Sequence, residues 1–167
     1  LYAVVLFEVG HTRRFGAPVQ KGRETVPHCR RPDESVRFLT APGERRFMST
    51  SVGVVVPAYR PDPDRLRSYL RALHDTVDPA TIRVELDAPA PDGPPPLPDW
   101  VDVNAVRRRR GKGGAITDGF EALSTDVLAF ADADGATPPA SLADVIAPVV
   151  DHGGLAVGSR RHPAATI

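Results

Sequence analysis

From residue 52 onward, short runs of apolar residues alternate with stretches in which apolar residues recur every three or four positions. The short runs are typical of buried strands, and the longer period is typical of amphipathic helices. The predicted strands are 52–57, 82–86, 100–106, 127–132 and 155–159, and the predicted helices are 64–73, 113–123 and 141–150. Strands that alternate with helices predict an α/β fold with a mostly parallel sheet and right-handed crossovers.

The apolar positions also predict which face of each helix packs on the sheet. The inward residues are expected to be Leu66, Tyr69, Leu70 and Leu73 in the first helix, and Ile116, Phe120 and Leu123 in the second. Asp62 and Pro63 suit the first turn of the first helix, and Ser141 is predicted to cap the third. The proline-rich stretch 88–98 is predicted to be irregular.

Residues 1–47 differ from the remainder of the chain. Their apolar patches are short and are broken by arginine pairs, glycine and proline, whereas the regular pattern begins at Met48, the only methionine. We therefore predict that 1–47 is an upstream extension, poorly ordered or not native, and that 48–167 is the folded domain. A genuine N-terminal strand or helix that packs on this domain is the alternative.

Composition narrows the class of protein. The 167 residues suit one domain, and 21 basic residues balance 21 acidic ones, so no overall field favours a nucleic-acid partner. The single cysteine, Cys29, excludes an intramolecular disulfide framework and fits a reducing compartment. No apolar stretch approaches the roughly 20 residues that span a bilayer. We expect a cytoplasmic protein.

The predicted strand 127–132 runs into two aspartates, Asp132 and Asp134, in the sequence VLAFADADG. Burying a carboxylate inside an apolar strand costs a large desolvation free energy, so both should emerge at its carboxyl end. Ligands of open α/β sheets bind at that edge. Two carboxylates spaced i and i+2 can share Mg²⁺ or Mn²⁺, which then clamps substrate phosphates. The alternative is a pair of loop carboxylates that cap the following helix or face water.

Residues that could bind a ligand or take part in a reaction also follow the other predicted strands. In chain order they are Pro57-Ala58-Tyr59, Asp87, the loop 107–114 and Ser159-Arg160-Arg161. The carboxyl ends of parallel strands meet at one edge of a sheet. These residues therefore predict one site, shared with the aspartate pair.

The loop 107–114, RRRRGKGG, predicts an anion site at the start of a helix. Free backbone N–H groups and the helix dipole favour a phosphate there, and Lys112 adds a positive charge. A P-loop is excluded, because the residue five places before Gly111 is not glycine and no Ser or Thr follows Lys112. The four arginines at 107–110 are interpreted as a solvated loop, with a nucleic-acid patch as the alternative.

In this order the motifs resemble family 2 glycosyltransferases of the GT-A fold. The segments that carry the resemblance are PAYR at 57–60, Asp87, GKGGAITDGFEA at 111–122, VLAFADADGATPP at 127–139 and GSRR at 158–161. The combination of GKG, DAD and GSR is most similar to dolichyl-phosphate mannosyl- and glucosyltransferases. The resemblance covers about 50–163. It implies sugar transfer from a UDP- or GDP-sugar to an acceptor such as a polyprenyl or dolichyl phosphate, in cell envelope glycan or glycoprotein biosynthesis.

The resemblance implies roles at the nucleotide end of the donor. Pro57, Ala58 and Tyr59 would line the nucleotide pocket. Asp87 would hydrogen-bond the base, and Glu85 could substitute for it, since ELDAPAPDG departs from the tidy DDGS of the family.

Further roles are implied at the phosphate end. Lys112 would approach the diphosphate, and Asp132 and Asp134 would hold the metal that bridges the two phosphates. Asp134 and Arg160 would take part in catalysis, with Arg160 near the phosphates or the acceptor. Gly135 stands where relatives often have Leu-Gln, so a third side-chain ligand is expected to be missing.

Relatives extend beyond GSR with acceptor-binding elements, so the chain is interpreted as the N-terminal nucleotide-sugar-binding part, truncated after the fifth predicted strand and inactive alone. If the acceptor is a lipid phosphate, the expected location is the cytoplasmic face of a membrane. One alternative is a nucleotidyltransferase with a related core, although PAYRPDP lacks its glycine-rich signature. Another is a non-catalytic module that binds nucleotide or nucleic acid.

Overall fold

The computed structural model describes the backbone of residues 7–8 and all of residues 50–91 and 93–158, which belong to one compact unit. Its strands are β1 (Phe7–Glu8), β2 (Val52–Tyr59), β3 (Thr81–Asp87), β4 (Val101–Val106) and β5 (Val127–Phe130), and its helices are α1 (Pro63–Val77), α2 (Gly111–Ala122) and α3 (Pro139–His152). Among the helices of this part of the chain, none is long and apolar enough to cross a lipid bilayer.

The five strands form one sheet in the order β1-β5-β2-β3-β4. Strands β5, β2, β3 and β4 are parallel, and β1 pairs antiparallel with the outer edge of β5. The predicted α/β fold with a mostly parallel sheet is confirmed. Because β2 lies between β3 and β5, the strand order reverses there, and open sheets bind ligands at the carboxyl ends beside such a reversal.

Two helical layers cover the sheet. Alternate residues of β2 point to opposite faces. Val54 and Val56 belong to the core that α1 and α3 complete, whereas Val55 meets α2. The predicted inward face of α1 is confirmed, since its buried residues are Leu66, Tyr69, Leu70 and Leu73. Asp62 caps the helix by accepting a hydrogen bond from the backbone N–H of Arg65 at 2.8 Å.

Helix α2 packs closest to the sheet through small residues, and the face predicted for it was only partly right, since Leu123 lies against Gly53 of β2. Its buried residues are Ala115 and Gly119, while the predicted Ile116, Phe120 and Leu123 are only partly buried. The reason is the closeness of the backbones: a Cβ at Gly119 would lie 2.6 Å from Cγ1 of Val55. A glycine there lets the helix approach β2, and this close approach also brings the amino end of α2 to the ends of β2 and β3.

We predict that Gly119→Ala destabilises the protein by about 1–2 kcal/mol, because overpacking typically costs about 1–3 kcal/mol and alanine returns up to about 1 kcal/mol of helix propensity. Gly113→Ala is the matched control in the same helix, since a Cβ there meets nothing within 4 Å. It should leave stability unchanged or raise it by up to about 1 kcal/mol. Urea unfolding followed by circular dichroism measures both, and equal midpoints for the two variants would contradict the packing argument.

Two predicted details near the carboxyl end were wrong. Residues 155–158 form no strand, and Leu155 and Val157 are exposed, while residue 159 lies outside the described residues. Strand β1 already pairs with Val127 and Leu128 on the outer edge of β5, so this part of the edge is not open to 155–158. Helix α3 begins at Pro139, two residues before the predicted Ser141 cap, and has no side-chain cap. Proline is preorganised for the first helical position, which explains the earlier start.

The proposed division of the chain at Met48 stays a prediction. Of residues 1–47, only the backbone of Phe7–Glu8 is described, and the others lie outside the described residues.

Candidate functional site

A cleft of about 130 Å³ opens at the carboxyl ends of β2 and β3, against the amino end of α2. Its lining includes Pro57, Ala58, Tyr59, Asp87, Gly111 and Lys112. The topology explains why residues so distant in sequence meet there: β2 and β3 are adjacent parallel strands, and α2 begins at the same edge. The structure thus brings together five of the site residues singled out from the sequence, namely Pro57, Ala58, Tyr59, Asp87 and Lys112.

Tyr59 forms the wall at the mouth of the cleft. The residue is 42% exposed, and the guanidinium carbon of Arg109 lies 4.3 Å from the ring centroid. Arg60 approaches the same ring at 5.4 Å. An arginine stacked on an exposed tyrosine offers a cation–π contact and a flat polar surface at the entrance. Arg109 also lines the cleft, a role that the interpretation as a solvated loop missed.

The aspartate pair lies beside this cleft, joined to it by Lys112. Its Nζ is 2.6 Å from Oδ1 of Asp132, which follows β5. Asp134 is exposed, and its Oδ1 accepts a hydrogen bond from the backbone N–H of Ala136 at 2.9 Å. The turn after β5 therefore shares one edge with the start of α2, as the strand-end argument predicted.

Tyr69 of α1 supports the turn that carries the two aspartates. It is buried, and its hydroxyl donates a hydrogen bond to the carbonyl oxygen of Thr137 at 2.8 Å. Gly135 has a φ of +66°, and a Cβ there would lie 3.3 Å from the tyrosine ring. Burial, with the nearby charges of Asp132 and Asp134, raises the pKa of Tyr69 to about 12. Both carboxylates therefore lie close to one buried phenol, a relation that apolar spacing alone did not reveal.

The carboxylates fit a divalent cation only as part of a larger ligand set. Across the described residues, no group of three or more His, Cys, Asp or Glu side chains could hold a metal ion. Mg²⁺ is commonly held by one or two carboxylates together with substrate phosphates and water, and Asp132 and Asp134 suit that arrangement. The expectation that a third side-chain ligand is missing at Gly135 stays a prediction.

Asp87, predicted to contact a base, is engaged within the protein. Its Oδ2 accepts hydrogen bonds from the backbone N–H groups of Arg110 at 2.6 Å and Gly111 at 2.9 Å, and its Oδ1 accepts one from Nε of Arg110 at 2.8 Å. Burial would raise the pKa of Asp87, but the Arg110 side chain and these backbone groups hold the pKa below its ordinary value of 3.8. The carboxylate is charged at neutral pH and 3% exposed.

Arg110 is the centre of a buried charge network. Its side chain is 5% exposed, and its Nη1 lies 2.8 Å from Oε2 of Glu85 and 2.8 Å from Oδ2 of Asp118. Glu85 is fully buried and also accepts hydrogen bonds from Nε of Arg83 at 2.6 Å and Nδ2 of Asn104 at 2.7 Å. Arg83 forms a second ion pair with Asp102.

This network corrects the interpretation of 107–110 as a uniformly solvated loop. Arg107, Arg108 and Arg109 are exposed, whereas the fourth arginine is buried. A signal was present in the sequence. Glu85 and Asp87 are two residues apart and therefore lie on the same face of a strand. Carboxylates buried there need a nearby cation to offset their desolvation cost. Nothing in the run of identical arginines showed which one would supply it.

The remaining predicted site residue, Arg160, lies outside the described residues, together with Ser159 and Arg161. Its place near the phosphates or the acceptor stays a prediction.

Comparison with known proteins shows that the chain matches one family model. Residues 54–165, about two thirds of the chain, match the family model described as glycosyl transferase family 2. No curated protein matches the chain. The matched range begins inside β2 and contains the whole cleft and the aspartate turn. Together with the four-stranded parallel sheet, the match confirms the GT-A, Rossmann-like class of fold.

Proposed function

The chain belongs to glycosyl transferase family 2, whose members use nucleotide-sugar donors, and on that premise we propose that its cleft binds a UDP- or GDP-sugar together with Mg²⁺ or Mn²⁺. The observation that carries the proposal is the contact of Lys112 with Asp132. It joins the cleft at β2 and β3 to the carboxylates after β5, so the nucleoside and the diphosphate of a donor have a continuous surface to occupy.

The nucleoside would lie along the wall formed by Pro57, Ala58 and Tyr59. These residues are at the carboxyl end of β2, and the ring of Tyr59 offers an aromatic surface for a base or ribose. The diphosphate would then lie over the start of α2. Asp87 already accepts a hydrogen bond from the first N–H group of the helix, that of Gly111. The attraction for the phosphates would therefore come from the helix dipole and from the positive charge of Lys112 in the first turn.

The reacting end of the donor would lie between Lys112 and the aspartate turn. When the bond to the sugar breaks, negative charge builds on the departing diphosphate, and the ammonium of Lys112 stabilises it. A divalent cation bound by Asp132 and Asp134 would supply Lewis-acid stabilisation of the same charge. Arg160, named from the sequence alone, is proposed to act on the same phosphates or on the acceptor.

We propose a polyprenyl or dolichyl phosphate as the acceptor. A lipid phosphate is already ionised and attacks the sugar without a strong general base, whereas a neutral hydroxyl needs one. Such an acceptor would place the reaction at the cytoplasmic face of a membrane.

Calorimetric titration of the full chain with UDP- and GDP-sugars, with and without Mn²⁺, tests the proposal. We expect heat of binding for at least one donor in Mn²⁺ and much weaker binding in EDTA. Preference for a nucleoside triphosphate over both diphosphate sugars would favour a nucleotidyltransferase instead. Salt-sensitive binding of an oligonucleotide, with no donor bound, would point to the exposed Arg107, Arg108 and Arg109 as a nucleic-acid patch.

A further inference from the structure

We propose that Asp87 is a positioning residue for the phosphate end of the donor, acting through Arg110 and the backbone of Gly111, and does not read the base. The inference rests on the proposed function and departs from the role that the family resemblance implies. It begins from the number of hydrogen bonds that the carboxylate already makes.

The oxygens of Asp87 are largely used inside the protein. A carboxylate offers about four lone-pair sites. Three are filled by the two backbone N–H groups of Arg110 and Gly111 and by Nε of Arg110, at 2.6–2.9 Å. The residue is 3% exposed. A base N–H that donated a hydrogen bond to this carboxylate would compete with three short, charge-assisted bonds.

These bonds provide a hydrogen-bond acceptor at the amino end of α2, where the helix has no capping side chain of its own. The residue before the helix is Arg110, whose side chain makes no capping hydrogen bond. The first N–H groups of a helix need acceptors from elsewhere. Asp87 supplies one from the neighbouring strand by accepting from the N–H of Gly111. A carboxylate at a helix amino end also interacts favourably with the helix dipole.

The side chain of Arg110 also holds the first turn of α2 in place. Its Nε binds Asp87, and its Nη1 binds Glu85 on β3 and Asp118 on the second turn of α2. The strand and the helix are therefore tied by one guanidinium. Lys112 follows directly after Gly111 in this fixed turn, and its ammonium reaches Asp132. Displacing the turn would move the positive charge that is proposed to meet the diphosphate.

Asp87→Asn is the diagnostic substitution. It preserves size but removes the charge and turns one acceptor into an N–H₂ group that faces N–H donors. Substitutions of residues that orient the groups in direct contact with a ligand or metal typically cost about ten- to a hundredfold in affinity. We expect a loss of that size, equal for every ligand that carries the diphosphate.

Pyrophosphate separates the two roles, because it has the phosphates of the donor and no base. The experiment measures dissociation constants for Mn²⁺–pyrophosphate, UDP and GDP on the full chain and on Asp87→Asn. The inference expects all three to weaken by a common factor. A substitution that leaves pyrophosphate unchanged while UDP or GDP weakens would show that Asp87 reads the base, and would overturn the inference.

Two further variants guard against a simple folding defect. Arg110→Lys keeps the positive charge but cannot bridge Asp87, Glu85 and Asp118 at once, so the same common weakening is expected. Glu121→Gln removes the charge of an exposed carboxylate on the same helix, outside this network, and should change the three affinities little. If Asp87→Asn does not fold by circular dichroism, Arg110→Lys carries the test, and unchanged pyrophosphate binding there overturns the inference.

The failure of the proposed function would look different. An unaltered chain that binds neither UDP nor GDP in Mn²⁺ would overturn the proposed function and this inference with it. An unaltered chain that binds all three ligands, with base-selective loss in the variants, would overturn the inference alone.

Discussion

Asp134→Ala is expected to reduce the Mn²⁺-dependent affinity for UDP or GDP by about a hundredfold. Removing a residue that only supports a metal ligand typically costs about ten- to a hundredfold, and a proposed ligand itself should cost at least the upper end of that range. Asp134 is exposed, and in the described hydrogen bond its Oδ1 accepts from the backbone N–H of Ala136. Its second oxygen therefore has no described bond to break before a cation binds. The measurement is calorimetric titration of each diphosphate in Mn²⁺ and in EDTA.

Asp144→Ala is the matched control for charge. Asp144 is an exposed carboxylate on α3, outside the cleft and the aspartate turn, and its loss changes the net charge by the same amount. We expect the affinity for UDP and GDP to stay within about twofold of the unaltered chain, since the charge of an exposed side chain outside the site is largely screened by salt. Equal losses for the two variants, or Mn²⁺-dependent binding that survives Asp134→Ala, would remove the metal from the proposed site.

Glu85→Ala is expected to destabilise the fold by about 3–5 kcal/mol, the cost of removing one partner from a buried ion pair. Glu85 is fully buried and accepts hydrogen bonds from Arg83, Asn104 and Arg110. Within the described residues, Nη2 of Arg110 is already without a hydrogen-bond partner. Without Glu85, the Nη1 of this buried guanidinium would keep Asp118 alone. Urea unfolding at neutral pH measures the loss as a shift of the midpoint.

Two comparisons make this prediction specific. Glu85→Gln keeps the volume and one acceptor oxygen, so it should lose less stability than the alanine variant. Glu121→Ala removes an exposed carboxylate from α2 and should change stability by no more than about 0.5 kcal/mol, as most surface substitutions do. A Glu85→Ala protein as stable as Glu121→Ala would show that the buried network contributes little to the fold.

The regular elements could be predicted because their periods are strong. Strands β2 and β5 owe their signals to uninterrupted apolar runs, and β3 and β4 to apolar residues at every second position. Helix α1 owes its signal to leucines at helical spacing. The packing face of α2 could be predicted only in part in this way. Its contact depends on Gly119, and a glycine carries no hydrophobic signal although it permits the closest approach. The apolar run at 155–158 failed for another reason, since a run of this kind does not show whether a neighbouring strand edge is free.

The position of the site was also accessible from the sequence, because parallel strands place their carboxyl ends together. Pro57, Asp87 and Lys112 do line one cleft, and Asp132 lies beside it. The partners of each side chain were not accessible. Four consecutive arginines give equal evidence for each position, and only the fold shows that Arg110 enters the interior while its neighbours stay outside.

Under the proposed function, the short contact between Lys112 and Asp132 has a consequence for the order of events in the cell. With the donor absent, the lysine ammonium neutralises a carboxylate that an incoming cation would need, so free metal should associate poorly with the resting chain. A diphosphate that attracts the ammonium releases that carboxylate, and by thermodynamic linkage each of the two then strengthens the binding of the other. Loading of the metal would thus follow the supply of donor, and would depend little on the cellular concentration of the free ion.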